Sequence, residues 1–144
     1  MTTHTKFLTF SILLMLSAFI SFGQKPNLLN FTVNEIAKYN IYETTNTVGY
    51  ANVISKQYQR FELLISLATE EQLTNLATHN KNAIVRLYAL QALKRKKINI
   101  SSVMRQQFQN DITIVETLEG CLGDKKSVHM LAMQELKAPV SFSN

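Results

Sequence analysis

"HNKNAIVRLYALQALKRKK" occupies residues 79–97. Ile84, Val85, Leu87, Tyr88 and Leu90 spread apolar groups around nearly the whole circumference of a helix drawn through it. A helix apolar on all sides has neighbours on all sides, so residues 82–96 are expected to form a helix whose first half sits at the centre of the molecule. The second half differs. Ala89, Ala92 and Leu93 hold one apolar face, while Gln91, Lys94 and Arg95 take the other, which is expected to meet water. "KRKK" (94–97) then places cations over the helix C-terminus, at the negative end of its dipole.

Helical signals continue on both sides of this stretch. "TEEQLTNLAT" (69–78) begins with a capping box, Thr69 and Gln72, and carries Glu70 and Glu71 where the dipole favours anions. "HNKN" (79–82) is a tight turn between paired helices. "SKQYQRFELLISLA" (55–68) repeats Tyr58, Phe61, Leu64, Ile65 and Ala68 at three- and four-residue steps, with Ser55 as N-cap. "TVNEIAKYNI" (32–41) has Thr32 and Glu35 in capping-box spacing. "YETTNTVGYAN" (42–52) reads as a loop.

Downstream, "ISSVMRQQFQND" (100–111) reads as a short amphipathic helix capped by Ser101 or Ser102. "ITIVETLEG" (112–120) is ambiguous: its β-branched start favours a strand, but Leu118 and its neighbours fit a helix, and a helix is expected. "GCLGDKK" (120–126) reads as a turn, and "SVHMLAMQEL" (127–136) as a last helix capped by Ser127.

The frame Val85-Arg86-x-x-Ala89-x-x-Ala92-Leu93 resembles the second helix of a HEAT repeat, and residues 69–93 resemble one such repeat. Val128-His129-x-x-Ala132-x-x-Glu135-Leu136 repeats the frame 43 residues on, within the ~40–47 period of these arrays. The Asp and Pro common before the Val-Arg pair are replaced by Asn82 and Ala83. The resemblance implies an all-α fold, a short α-α superhelix of helix pairs over residues 55–137, with an irregular helical bundle as the alternative. It also implies a protein-binding role. Tyr88, Gln91 and Arg95 form one stripe on the helix that lines the inner wall of such solenoids, and they are the candidate protein-binding residues.

The chain ends bound the setting. "MTTHTK" followed by the apolar run 7–22, with Ser21 and Gly23 before Gln24, reads as a signal peptide of residues 1–23. At 16 residues the run is shorter than the roughly 20 that span a bilayer, so a membrane association is expected only if the segment is retained. A secreted or periplasmic location follows. Residues 24–54 are expected to supply an N-terminal helix and loop, and 138–144 a tail. Losing Lys6 lowers the formal net charge from +5 to +4, an ordinary solubility charge, and nucleic acid is no expected partner outside the cell.

Little chemistry is assembled. Cys121, the single cysteine, has His129 eight residues on, with Glu119 or Asp124 as an orienting carboxylate, so a small thiol enzyme is the alternative function. No metal spacing joins His79, Cys121 and His129, and "GCLG" lacks phosphate-loop spacing. The expected protein is therefore not an enzyme, carries no cofactor or metal, and binds an unknown protein or itself. Asn30 and Asn99 lie in N-x-S/T sequons.

Overall fold

The computed structural model describes residues 27–137. The expected signal peptide and the tail at 138–144 lie outside them. The described elements run α1 (Leu28–Tyr39), β1 (Ile41–Glu43), β2 (Thr47–Val48), β3 (Val53–Ile54), α2 (Lys56–Leu67), α3 (Glu70–His79), α4 (Ala83–Arg95), α5 (Ser102–Gln109), β4 (Ile114–Glu119), β5 (Leu122–Ser127) and α6 (Val128–Lys137).

The architecture corrects the all-α expectation, both as a superhelix of helix pairs and as a helical bundle. Six helices accompany a three-stranded sheet in the order β1-β4-β5, and β2-β3 form a separate small hairpin. "ITIVETLEG" supplies β4 rather than a helix. Val115 and Thr117 point inward while Ile114 and Glu116 face solvent, and this alternation with β-branched residues outweighs the helical fit of Leu118. Gly120, at φ +58°, opens the two-residue turn that returns the chain as β5. "GCLGDKK" is thus a turn only at Gly120–Cys121, and its remainder is strand. The segment 42–52, expected as a loop, contains the end of β1 and the β2 strand, with Gly49 (φ +76°) and Asn52 (φ +49°) in the hairpin turn. The repeated frame at Val128–Leu136 falls on α6, which follows a β-hairpin and not a partner helix.

Local helix chemistry matches the residues more closely. Ser55 Oγ accepts the amide of Tyr58 (2.8 Å), Ser101 Oγ that of Met104 (3.2 Å) and Ser127 Oγ that of Met130 (3.2 Å). The Thr69–Gln72 capping box is complete. The Thr32–Glu35 box is not a helix start: α1 begins four residues earlier, capped by Asn27, and Thr32 Oγ1 donates back to the Leu28 carbonyl (2.8 Å).

α4 is the central element. Nine of its residues are buried, from Ala83 to Leu93, and it packs on α1, α2, α3, α6 and β1. Asn82 anchors its start. The Asn82 Oδ1 accepts the amides of Ile84 (2.9 Å) and Val85 (3.1 Å), and its Nδ2 donates to Asn40 Oδ1 (2.8 Å) at the left-handed C-cap of α1. Its far end closes in a Schellman motif, with Ile98 N–H on the Leu93 carbonyl (2.9 Å) and Lys97 N–H on that of Lys94 (2.9 Å).

The sheet meets α4 through Tyr88. The Tyr88 hydroxyl accepts the Glu43 N–H (2.9 Å) and donates to the Glu43 carbonyl (3.0 Å). Gln57 Nε2 donates to the Ile41 carbonyl (3.1 Å) and, from the same amide, to the Ile36 carbonyl (3.3 Å). β1 lies at one edge of the sheet, and these two buried side chains satisfy backbone groups that a further strand would otherwise take. Replacing Tyr88 by Phe keeps the ring and strands both Glu43 groups. Thermal unfolding is expected to show a loss of about 2–4 kcal/mol for Tyr88→Phe. Asn82→Ala is expected to cost about 1–2 kcal/mol by removing a double cap.

Candidate functional site

The structure buries Tyr88 of the predicted stripe and leaves Gln91 and Arg95 half-buried. Tyr88 is fully buried, its ring stacked on Phe61 (5.2 Å between centroids) and tilted against Tyr42 (4.8 Å). Gln91 Nε2 donates to Glu135 Oε1 on α6 (3.2 Å). Arg95 pairs with Glu62, donates to the Tyr58 hydroxyl (3.2 Å) and lies 5.5 Å from the centroid of Phe61. The three residues therefore face α2, α6 and β1. The neighbouring cations are engaged as well. Lys94 Nζ donates to the Glu135 carbonyl and sits 3.9 Å from its carboxylate, and Lys96 Nζ donates to the Ala68 carbonyl at the end of α2 (2.8 Å). Lys94, Arg95 and Lys96 tie the end of α4 to α2 and α6.

Cys121 and His129 stand at opposite ends of β5, whose six residues span ~20 Å at about 3.3 Å each. Cys121 is exposed at the β4–β5 turn, and His129 is exposed near the start of α6. Asp124 lies within β5, where its carboxylate is 3.9 Å from Lys126 Nζ. Among the described residues no cluster of three or more His, Cys, Asp or Glu side chains is arranged to hold a metal. His79 Nδ1 is 2.7 Å from the neighbouring Thr78 hydroxyl. Asn30 is exposed on α1, and Asn99 is exposed in the loop between α4 and α5.

A shallow apolar depression lies elsewhere, between the β2–β3 hairpin and α2. Thr47 and Ile54 form one wall and Tyr58, Glu62, Leu63 and Ser66 the other, enclosing about 540 Å³. At its turn the hairpin exposes Tyr50 at 96%, with Val53 and Ile54 also mainly exposed. The hairpin is held firmly. Gly49 N–H donates to the Gly120 carbonyl (3.0 Å), Gly120 N–H to Thr45 Oγ1 (3.1 Å) and Ser55 N–H to the Asn46 carbonyl (2.9 Å). Below it, the buried Glu43 carboxylate accepts hydrogen bonds from the hydroxyls of Ser55 and Tyr39, the latter at 2.8 Å. The sequence held a signal for this hairpin: Thr47-Val48 and Val53-Ile54 bracket Gly-Tyr-Ala-Asn, two β-branched pairs around a turn.

No protein-family model, curated protein or solved structure matches the chain. Among the described residues no helix is long and apolar enough to cross a membrane.

Two carboxylates on the flanks of α4 are shifted in opposite directions. At Asp111, burial alone would raise the pKa, but hydrogen bonds from Thr113 and Arg86, the latter at 2.5 Å, outweigh it and hold the group below the usual range. At Glu135 burial wins over the attraction of Lys94 and the hydrogen bond from Tyr42, and the pKa is raised. A depressed Asp111 stabilises the fold above its unfolded pKa, and that contribution is lost as pH falls through the folded value. Raised Glu135 has the opposite sign: its contribution weakens stability as pH climbs from the unfolded value through the folded one. Carbon-detected NMR titration is expected to place Asp111 below and Glu135 above the ordinary ~3.9 and ~4.3. Arg86→Ala should move Asp111 up, and Lys94→Ala should move Glu135 further up.

Proposed function

We propose that the chain is an exported, non-catalytic recognition module that engages another protein through the hairpin groove. The observation that carries this is Tyr50: a large aromatic side chain, almost wholly exposed, on a hairpin fixed at its base and standing beside an apolar groove. Exposed aromatic residues on rigid supports are favoured anchors of protein interfaces, because they bury much area at little entropic cost. Export is supported by the apolar run at 7–22 and the small residues Ser21 and Gly23. A non-enzymatic role is supported by the use of the buried ionisable groups as ties between elements. Glu43 joins α1 to the hairpin base, and Glu135 joins α6 to α4 and β1.

Site-directed photo-crosslinking tests this. A benzophenone side chain at position 50 is expected to trap one discrete partner, identified by mass spectrometry and then bound in purified form. The same probe at position 71, on the acidic start of helix α3, should trap none of it. Ile54→Asp should weaken binding of the purified partner by at least about tenfold, ~1.4 kcal/mol. Equal trapping at both positions, or binding indifferent to Ile54→Asp, overturns the proposal.

A further inference from the structure

The outer face of the three-stranded sheet is open over β4 and β5, while on β1 Glu43, beside Leu118, is buried with its carboxylate held by Ser55 and Tyr39. Strand pairing sets Ile41, Glu116 and Lys125 in one row across β1, β4 and β5, and Leu118 beside Gly123 in the next. Ile114 is 62% exposed on the same face of β4. Gly123 leaves a hollow: a Cβ built there would meet nothing closer than the Thr117 carbonyl oxygen, at 4.0 Å. The depression bounded by Ile41, Leu118, Gly123 and Lys125 has about 580 Å³. It runs into a second, more polar one that shares Glu116 and Lys125 and reaches Ile114.

Two opposite charges stand side by side at the middle of this face, with Lys81, Arg86 and Asp124 at the rims of the two depressions. Glu116 and Lys125 are direct cross-strand neighbours, whose Cβ atoms lie about 4.5–5.5 Å apart in such pairs. Neither has a salt bridge with another side chain among the described residues. A surface of this pattern is its own electrostatic complement. A two-fold axis between the two charges sets each carboxylate over the other copy's ammonium, twice over. The same operation lays β4 of one copy over β5 of the other, setting Leu118 at the Gly123 hollow of the second copy and Ile114 over its Ser127. Isologous interfaces have this character, each patch contacting itself.

We infer that this sheet face binds a second copy of the chain, forming a two-fold dimer centred on Glu116 and Lys125. The face is small. Three strands spaced at about 4.8 Å, each rising ~3.3 Å per residue, cover far less than the ~800 Å² per partner of a standard interface. The dimer is accordingly weak, exchanges rapidly, and is loosened by salt. It uses a different surface from the hairpin groove, so it stands or falls separately from partner recognition there.

A charge exchange tests it. Sedimentation equilibrium of the processed chain, from micromolar to millimolar concentration at low salt, is expected to show monomer–dimer association. Glu116→Lys alone and Lys125→Glu alone should each weaken it by at least about tenfold (~1.4 kcal/mol). The double exchange Glu116→Lys/Lys125→Glu should restore it, and a mixture of the two single variants should associate with each other in preference to themselves. Both positions are exposed, and circular dichroism checks that each variant folds. In the unmodified chain, amide chemical shifts should move on dilution at Glu116, Leu118, Gly123 and Lys125. A wild-type chain that stays monomeric at millimolar concentration overturns the inference. So do dilution shifts confined to other surfaces, or folded single variants that dimerise as well as wild type.

Discussion

The hydroxyl of Tyr88 holds the two halves of the molecule together. It comes from the middle of the most buried helix and closes on both backbone groups of Glu43, at the edge of the sheet. Burial drives its pKa well upward, so the proton it donates stays in place. Around this contact stack Phe61 from α2 and Tyr42 from β1, so one ring cluster joins two helices and a strand. Without the hydroxyl, the edge of β1 would bury unpaired backbone groups, which costs more than an ordinary hydrogen bond returns. Among the described residues no buried side-chain nitrogen or oxygen is left without a partner.

The basic stretch at the end of α4 has a structural use that its sequence only half suggests. Cations at a helix C-terminus favour the dipole, and that much follows from position alone. The structure adds specific partners: Glu135 for Lys94, Glu62 and Tyr58 for Arg95, and the last carbonyl of α2 for Lys96. Arg86 does the same at the other end, bonding the carbonyls of Asn80 (2.9 Å) and Lys81 (3.1 Å) and the carboxylate of Asp111. These cations hold helices and loops in register, and their charge is largely spent inside the molecule.

What the residues disclosed in advance was mostly local. The all-round apolarity of Ile84–Leu90 located the central helix, and Ser55, Thr69, Ser101 and Ser127 marked helix starts, because a cap needs only three or four neighbouring residues. The sheet was not legible in the same way. β1 is three residues long and gains its identity from pairing with β4, 75 positions downstream at Ile41 and Glu116. No local pattern encodes that partnership. β4 carried a recognisable strand signal in Ile-Thr-Ile-Val, outweighed in the reading by its helical surroundings. Tyr88 shares a stripe with Gln91 and Arg95 but is far more deeply buried: helical spacing tells which residues share a face, and only tertiary packing tells what that face meets. The hairpin groove was hidden because one wall is a segment rich in Thr, Asn and Gly and the other the outer face of α2, which only the fold brings together.

The parallel pairing of β1 with β4 also dictates an order of assembly. The first strand to leave the ribosome cannot find its neighbour until most of the chain has followed it. Contacts so distant in sequence close slowly, because the intervening loop must first lose its freedom. The helices can gather around α4 early, but the sheet is completed only when the C-terminal hairpin arrives. The polypeptide therefore passes through an interval in which β1 is already carried among gathered helices but has no strand to pair with.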